Sequence, residues 1–214
     1  MGGQKMITAP TLFILGAGAS KPYEFPTGEG LRDDIVKNFA TDFDELDGGE
    51  KTDHKVMARE GIKNFIKNFD NSSLKSIDKY LAVNPQNDKY IGKIAITLSI
   101  LKHENKSCFN EKITDPKEDW YKYLYNRMTE DFNKPDDHKH FFENNVAFIT
   151  FNYDRSLEYY LYNSLFHSFN QESNNIRNNI KSYNPFKIIH VYGSVGLLSL
   201  MDWYSFDNTP DSEV

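Results

Sequence analysis

With 214 residues, 39% hydrophobic and 26% charged, the chain has enough apolar side chains for a packed core and does not have the composition of a disordered polymer. Its net charge of −6 argues against general nucleic-acid binding, and no apolar run approaches the roughly 20 residues of a membrane-spanning helix. Cys108 is the single cysteine, which excludes a disulfide within the chain and a multi-cysteine zinc site. One domain with insertions is the expectation at this length. Met1 to Pro10 lacks the apolar stretch of a secretory signal, so the cytoplasm is the simplest address.

Thr11 to Leu15 (TLFIL) is a short apolar run ending in Gly-Ala-Gly, which reads as a buried strand. Lys21 to Pro26 holds two prolines and reads as loop. Thr27 is placed to cap a helix through about Asn38, with Leu31, Ile35 and Phe39 on one face. The acidic, glycine-containing stretch Thr41 to Asp53 reads as an exposed loop. Helical spacing then recurs in Ile62, Phe65, Ile66 and Phe69, in Ile77, Tyr80 and Leu81, and in Ile91, Ile94, Ala95, Leu98 and Leu101. Trp120, Tyr123, Leu124 and Met128 continue it, beyond a polar loop expected over Lys102 to Lys117. No strand stands out between Leu31 and Asn145. A helical insertion over about residues 38–145, on the order of 100 residues, is therefore expected within a single domain spanning 1–214.

Val146 to Phe151 (VAFITF) is a second strand candidate. Leu157, Tyr160, Leu161 and Leu165 mark an amphipathic helix. Gln171 to Tyr183 reads as loop with a weak helix, and Phe186 to Val191 (FKIIHV) as a third strand. Asp202 to Val214 is polar and expected to fray. The alternation of strand and helix predicts an α/β fold with a parallel, Rossmann-like sheet.

Three polar clusters follow the three strands, and ligands of open parallel sheets bind at the carboxyl ends of strands. Gly16-Ala17-Gly18-Ala19-Ser20 forms a turn where backbone could approach a pyrophosphate, though the third glycine of the dinucleotide fingerprint is missing. An ordinary strand-to-helix turn explains it equally well. Asn152 and Asp154 leave the second strand; they suit a ligand, or simply a turn and a helix cap. His190-Val191-Tyr192-Gly193-Ser194 holds a group that titrates near neutrality, or a buried structural histidine. His138-Lys139-His140, beside Asp136 and Asp137, lacks the spacing of a known metal site and reads as a solvated polar loop.

In order, GAGAS, TFNYD and HVYG resemble the sirtuin superfamily. The closer resemblance is to the bacterial sirtuin-like group of antiphage defence, through Pro26-Thr27-Gly28, Ser76-Ile77-Asp78-Lys79-Tyr80-Leu81, Phe151-Asn152-Tyr153-Asp154 and His190-Val191-Tyr192-Gly193-Ser194. These blocks span Leu15 to Ser194. The resemblance implies NAD as substrate. Gly16, Ala17, Gly18 and Ser20 are implied to line its phosphates, with Thr27 and Gly193 among the further contacts. Asn152 is implied to position the nicotinamide ribose or an attacking water, Asp154 to contact the nicotinamide side, and His190 to act as general base. Zinc is not expected, because the four-cysteine module of the protein-deacylating sirtuins is absent. That points to NAD hydrolysis by a defence effector rather than deacylation. The chain stops about 20 residues after Ser194, short of the ~30 of a further βαβ unit. A fragment, or a minimal form completed by a homo-oligomer or a partner defence protein, is therefore expected. A non-catalytic sensor or assembly subunit that holds NAD or ADP-ribose is the alternative.

Overall fold

The computed structural model describes residues 6–46, 52–84, 86–104, 117–169 and 186–195. Cys108, the expected weak helix over 171–183 and the tail over 202–214 lie outside them. The fold is mixed α/β, mostly helical, with a small parallel sheet of three strands. The chain divides into two compact units: Met1–Gly16 with Ile113–Val214, and Ala17–Lys112.

The first unit carries the sheet. Strands β1 (Thr11–Leu15), β2 (Val146–Thr150) and β3 (Ile188–His190) lie side by side in that order, both pairs parallel. Side chains alternate across a strand, so one face collects Phe13, Val146, Phe148, Thr150, Ile188 and His190. The other face collects Leu12, Ile14 and Ile189, which are exposed. Phe13 stacks on Phe148 with ring centroids 5.3 Å apart. Helix α5 (Trp120–Met128), a 3-10 segment (Pro135–Glu143) and helix α6 (Ser156–Phe169) pack on the first face. There Met128, Phe141, Leu161 and Phe186 line one crevice with Val146 and Phe148. Buried Asn144 joins these parts: its amide donates to the carbonyls of Met128 (3.1 Å) and Phe141 (2.8 Å), and its oxygen accepts from the Ile7 N–H at 2.9 Å.

Two expectations change in this unit. In α5 the buried stripe is Tyr121, Leu124, Tyr125 and Met128, while Tyr123 is exposed. The two tyrosines are taken inward because each hydroxyl finds a partner there, Tyr121 at Ser156 and Tyr125 at the Ser164 carbonyl. The segment around His138 is not a solvated loop. It is a 3-10 segment with His138 buried, its ring 5.9 Å from that of Phe169.

The second unit holds α1 (Gly28–Leu46), α2 (Asp53–Asn71), α3 (Ile77–Val83) and α4 (Gln86–His103). Leu31, Ile35 and Phe39 face inward as their spacing predicts. Their neighbours are aromatic: Phe65 meets Phe39 edge-on at 6.2 Å and Tyr80 at 5.7 Å. Helix α1 runs further than expected, through residues 41–46. No Gly or Pro falls between Leu31 and Leu46, and its acids find cations: Lys102 pairs with Asp34 at 3.3 Å and Asp42 at 2.6 Å, and Arg59 pairs with Asp44. Helix α4 is apolar nearly all round, so its buried side is set by contacts. That side is Gly92, Ala95, Ile96, Ser99 and Ile100, whereas Leu101 is exposed. Ser99 turns inward to donate to Asp34, and Gly92 leaves room for Leu81, whose Cδ2 lies 2.5 Å from where a Cβ would sit.

Candidate functional site

Register places the carboxyl ends of the three strands together, since Leu15 faces Thr150 and Thr150 faces His190. Gly16, Phe151-Asn152 and Val191 therefore leave the sheet along one edge. The ladder runs on past the strands: Phe151 N–H donates to the Leu15 carbonyl at 3.0 Å, and Val191 N–H to the Thr150 carbonyl at 2.9 Å. Val195 N–H then reaches the Tyr153 carbonyl at 3.1 Å, tying the segment after β3 to the segment after β2.

Asn152 is buried, and its N–H donates to Thr150 Oγ1 at 3.1 Å. Its carbonyl faces His190 Nδ1 at 2.9 Å. His190 falls on the helix-packed face by strand alternation, which aims its ring at the first turn of α6. There Glu158 Oε1 lies 2.6 Å from Nε2. Burial opposes charge on this ring, but the hydrogen bond and charge of Glu158, the Asn152 carbonyl and the Asp154 charge together outweigh it. The His190 pKa is raised above its ordinary value.

Asp154 is buried and serves the start of α6. Its carboxylate accepts from the N–H of Ser156 at 3.2 Å and from the Ser156 hydroxyl, which in turn lies 2.7 Å from the Tyr121 hydroxyl. A carboxylate only accepts. Ser156 therefore gives its proton to Asp154, and Tyr121 gives its own to Ser156. Gly193 ends a turn in which its N–H donates to the His190 carbonyl at 3.3 Å; its φ of 85° is a conformation glycine adopts freely. Phe151, Tyr153 and Tyr192 form an aromatic rim, with Tyr192 5.7 Å from Phe151 and 6.3 Å from Tyr153.

Ala17, Gly18, Ser20 and Thr27 belong to the helical unit. After Gly16 the chain forms 3-10 turns at Ala17–Ala19 and Lys21–Tyr23, and an α-helix begins only at Gly28. Ser20 is buried, and its carbonyl accepts from the N–H groups of Tyr23 and Phe25. The Thr27 hydroxyl accepts from the Gly30 N–H at 3.4 Å, the cap its position suggested. A Cβ at Gly16 or Gly18 would meet nothing within 4 Å, and neither has a positive φ. The chain's own packing does not demand glycine at these two places.

The structure thus gathers Gly16, Asn152, Asp154, His190 and Gly193, and adds Glu158, which motif reading passed over. Its signal was position: Glu158, Leu161 and Leu165 lie at i, i+3 and i+7, so a carboxylate sits on the buried stripe of α6. Among the described residues no cluster of three or more His, Cys, Asp or Glu gathers as a metal site. No helix among them is long and apolar enough to cross a membrane. No protein-family model, curated protein or solved structure matches the chain.

Proposed function

We propose that the carboxyl edge of the sheet is an NAD site and that the chain is an NAD+ glycohydrolase with a Rossmann-like frame. In this reading it is a cytoplasmic, sirtuin-like effector of bacterial antiphage defence, acting as a homo-oligomer or with a partner protein. The supporting observation is the register Leu15–Thr150–His190, which draws Gly16, Asn152 and His190 to one edge of a parallel sheet.

Hydrolysis breaks the bond between nicotinamide N1 and ribose C1′, and the electron pair leaves with nicotinamide, which departs neutral. Water forms the new C1′–O bond and gives up a proton. His190 is the base for that proton. Asn152 holds the ribose or the water, and Asp154 lies on the nicotinamide side. Gly16 and Gly193 contact the ligand from this edge, and the sirtuin resemblance assigns Ala17, Gly18, Ser20 and Thr27 to the same ligand. The open space at Gly16 leaves room there for close approach of a ligand, a role glycine serves when packing does not require it. A site that orients the sugar and limits water favours the positive charge that builds on C1′.

A second reading has its own support. Both ring nitrogens of His190 face acceptors, so the ring presents no idle lone pair at rest. That suits a sensor or assembly subunit that binds NAD or ADP-ribose without cleaving it. Nicotinamide release by purified wild type, Asn152→Ala and His190→Ala separates the two. The hydrolase reading expects release by wild type and a fall of about 10²-fold or more in the folded variants. Undiminished turnover in both variants refutes it. Calorimetric NAD binding without release over hours favours the second reading.

A further inference from the structure

Glu158 stands in the first turn of α6, where the helix dipole favours a negative charge. It also lies on the stripe that buries Leu161 and Leu165. A carboxylate there costs free energy unless it is paired. Its partner is His190, and the two side chains retain only 18% and 12% exposure. Among the described residues the Glu158 carboxylate makes no other hydrogen bond.

The ring stands between two acceptors, the Glu158 carboxylate on Nε2 and the Asn152 carbonyl on Nδ1. A neutral imidazole has one N–H and one lone pair. It satisfies one acceptor and turns its lone pair on the other. The imidazolium donates to both. We propose that Glu158 is the positioning residue of His190: it fixes the ring at the sheet edge and keeps Nε2 protonated in the resting state. The catalytic consequence of this pairing rests on the hydrolase reading above. The hydrogen-bonded pair itself does not.

The charged groups that bear on the ring are Glu158 from α6 and Asp154 from the segment after β2. They raise the pH at which His190 loses its proton, so the base form appears later on an upward titration. Glu158→Gln keeps the shape of the side chain and removes its charge. The base form then appears at lower pH.

The test is an NMR titration of histidine Cε1, 13C-labelled, from about pH 5 to 9. It uses the full chain without NAD, as wild type, Glu158→Gln and Glu158→Asp. His190→Gln assigns the resonance. Glu158→Gln is expected to titrate at lower pH than wild type. Glu158→Asp keeps the charge on a shorter stem, is expected to fall between them, and carries the comparison if the first variant does not fold. In the same samples the acidic limb of nicotinamide release against pH moves to lower pH in Glu158→Gln, with little change in KM for NAD. A Glu158→Gln titration that superimposes on wild type overturns the proposal, whether or not NAD is turned over. If wild type releases no nicotinamide, the hydrolase reading falls, and the histidine titration still decides the role of Glu158.

Discussion

Ser156→Ala tests whether the start of α6 is held by the chain of hydroxyls running from Tyr121 through Ser156 to Asp154. Ser156 is fully buried, so its hydroxyl has no water to fall back on. The substitution removes two hydrogen bonds, one to a carboxylate and one from the Tyr121 hydroxyl. A bond to a charged group is worth about 1.5–3 kcal/mol and a neutral one about 0.5–1.5. The loss is therefore about 3 kcal/mol, a large share of the roughly 5–15 kcal/mol that stabilises a typical domain. Tyr121→Phe removes only the outer bond and costs about 1 kcal/mol. In the double variant the Tyr121–Ser156 bond is already gone, so its cost is less than the sum of the two single losses. Urea unfolding of the four proteins, followed by far-UV circular dichroism, measures all three quantities. A Ser156→Ala variant within about 0.5 kcal/mol of wild type, the range of a neutral surface change, refutes the reasoning.

Gly193→Ala places a Cβ in open space, so its cost is conformational: φ is 85°. The left-handed backbone costs about 1–2 kcal/mol, offset by about 0.4–1 from the stiffer unfolded chain. A net loss of about 1 kcal/mol is expected in the same urea assay, and a gain in stability would contradict the turn described at His190. The raised pKa of His190 links stability to pH. A charged His190 is preferred in the folded state, so its contribution is fully present below the unfolded pKa of about 6.5 and is lost as pH rises through the folded value. The stability gap between wild type and His190→Gln is therefore wider at about pH 6 than at about pH 9. A gap independent of pH would show that the ring is not held as an imidazolium.

The strands and most helices could be read from the chain because their signals are local. TLFIL, between Pro10 and Gly16, and VAFIT, after Asn144-Asn145, are short apolar runs, and Leu31, Ile35 and Phe39 repeat at helical spacing. Local pattern also placed Gly16 and Asn152 just after strands and His190 near the end of one. It misjudged α4, which is apolar nearly all round, and α5, where the aromatic residues Trp120, Tyr121, Tyr123 and Tyr125 offer more than one candidate stripe. There the buried side follows from partners far along the chain: Asp34 for Ser99, Leu81 for Gly92, Ser156 for Tyr121. The acidic residues after Asn38 looked like loop because their cations, Lys102 and Arg59, come from other helices.

The sequence by itself determined which residues are candidates for chemistry, since side-chain type and the end of a strand are local facts. Tertiary structure decided what state those residues are in. Parallel register brings Asn152 and His190 within hydrogen-bond reach, 38 residues apart, and helix α6 delivers Glu158 to the same ring. Whether a histidine rests as a base or as an imidazolium depends on which atoms face its two nitrogens, and those atoms are supplied only when distant segments pack.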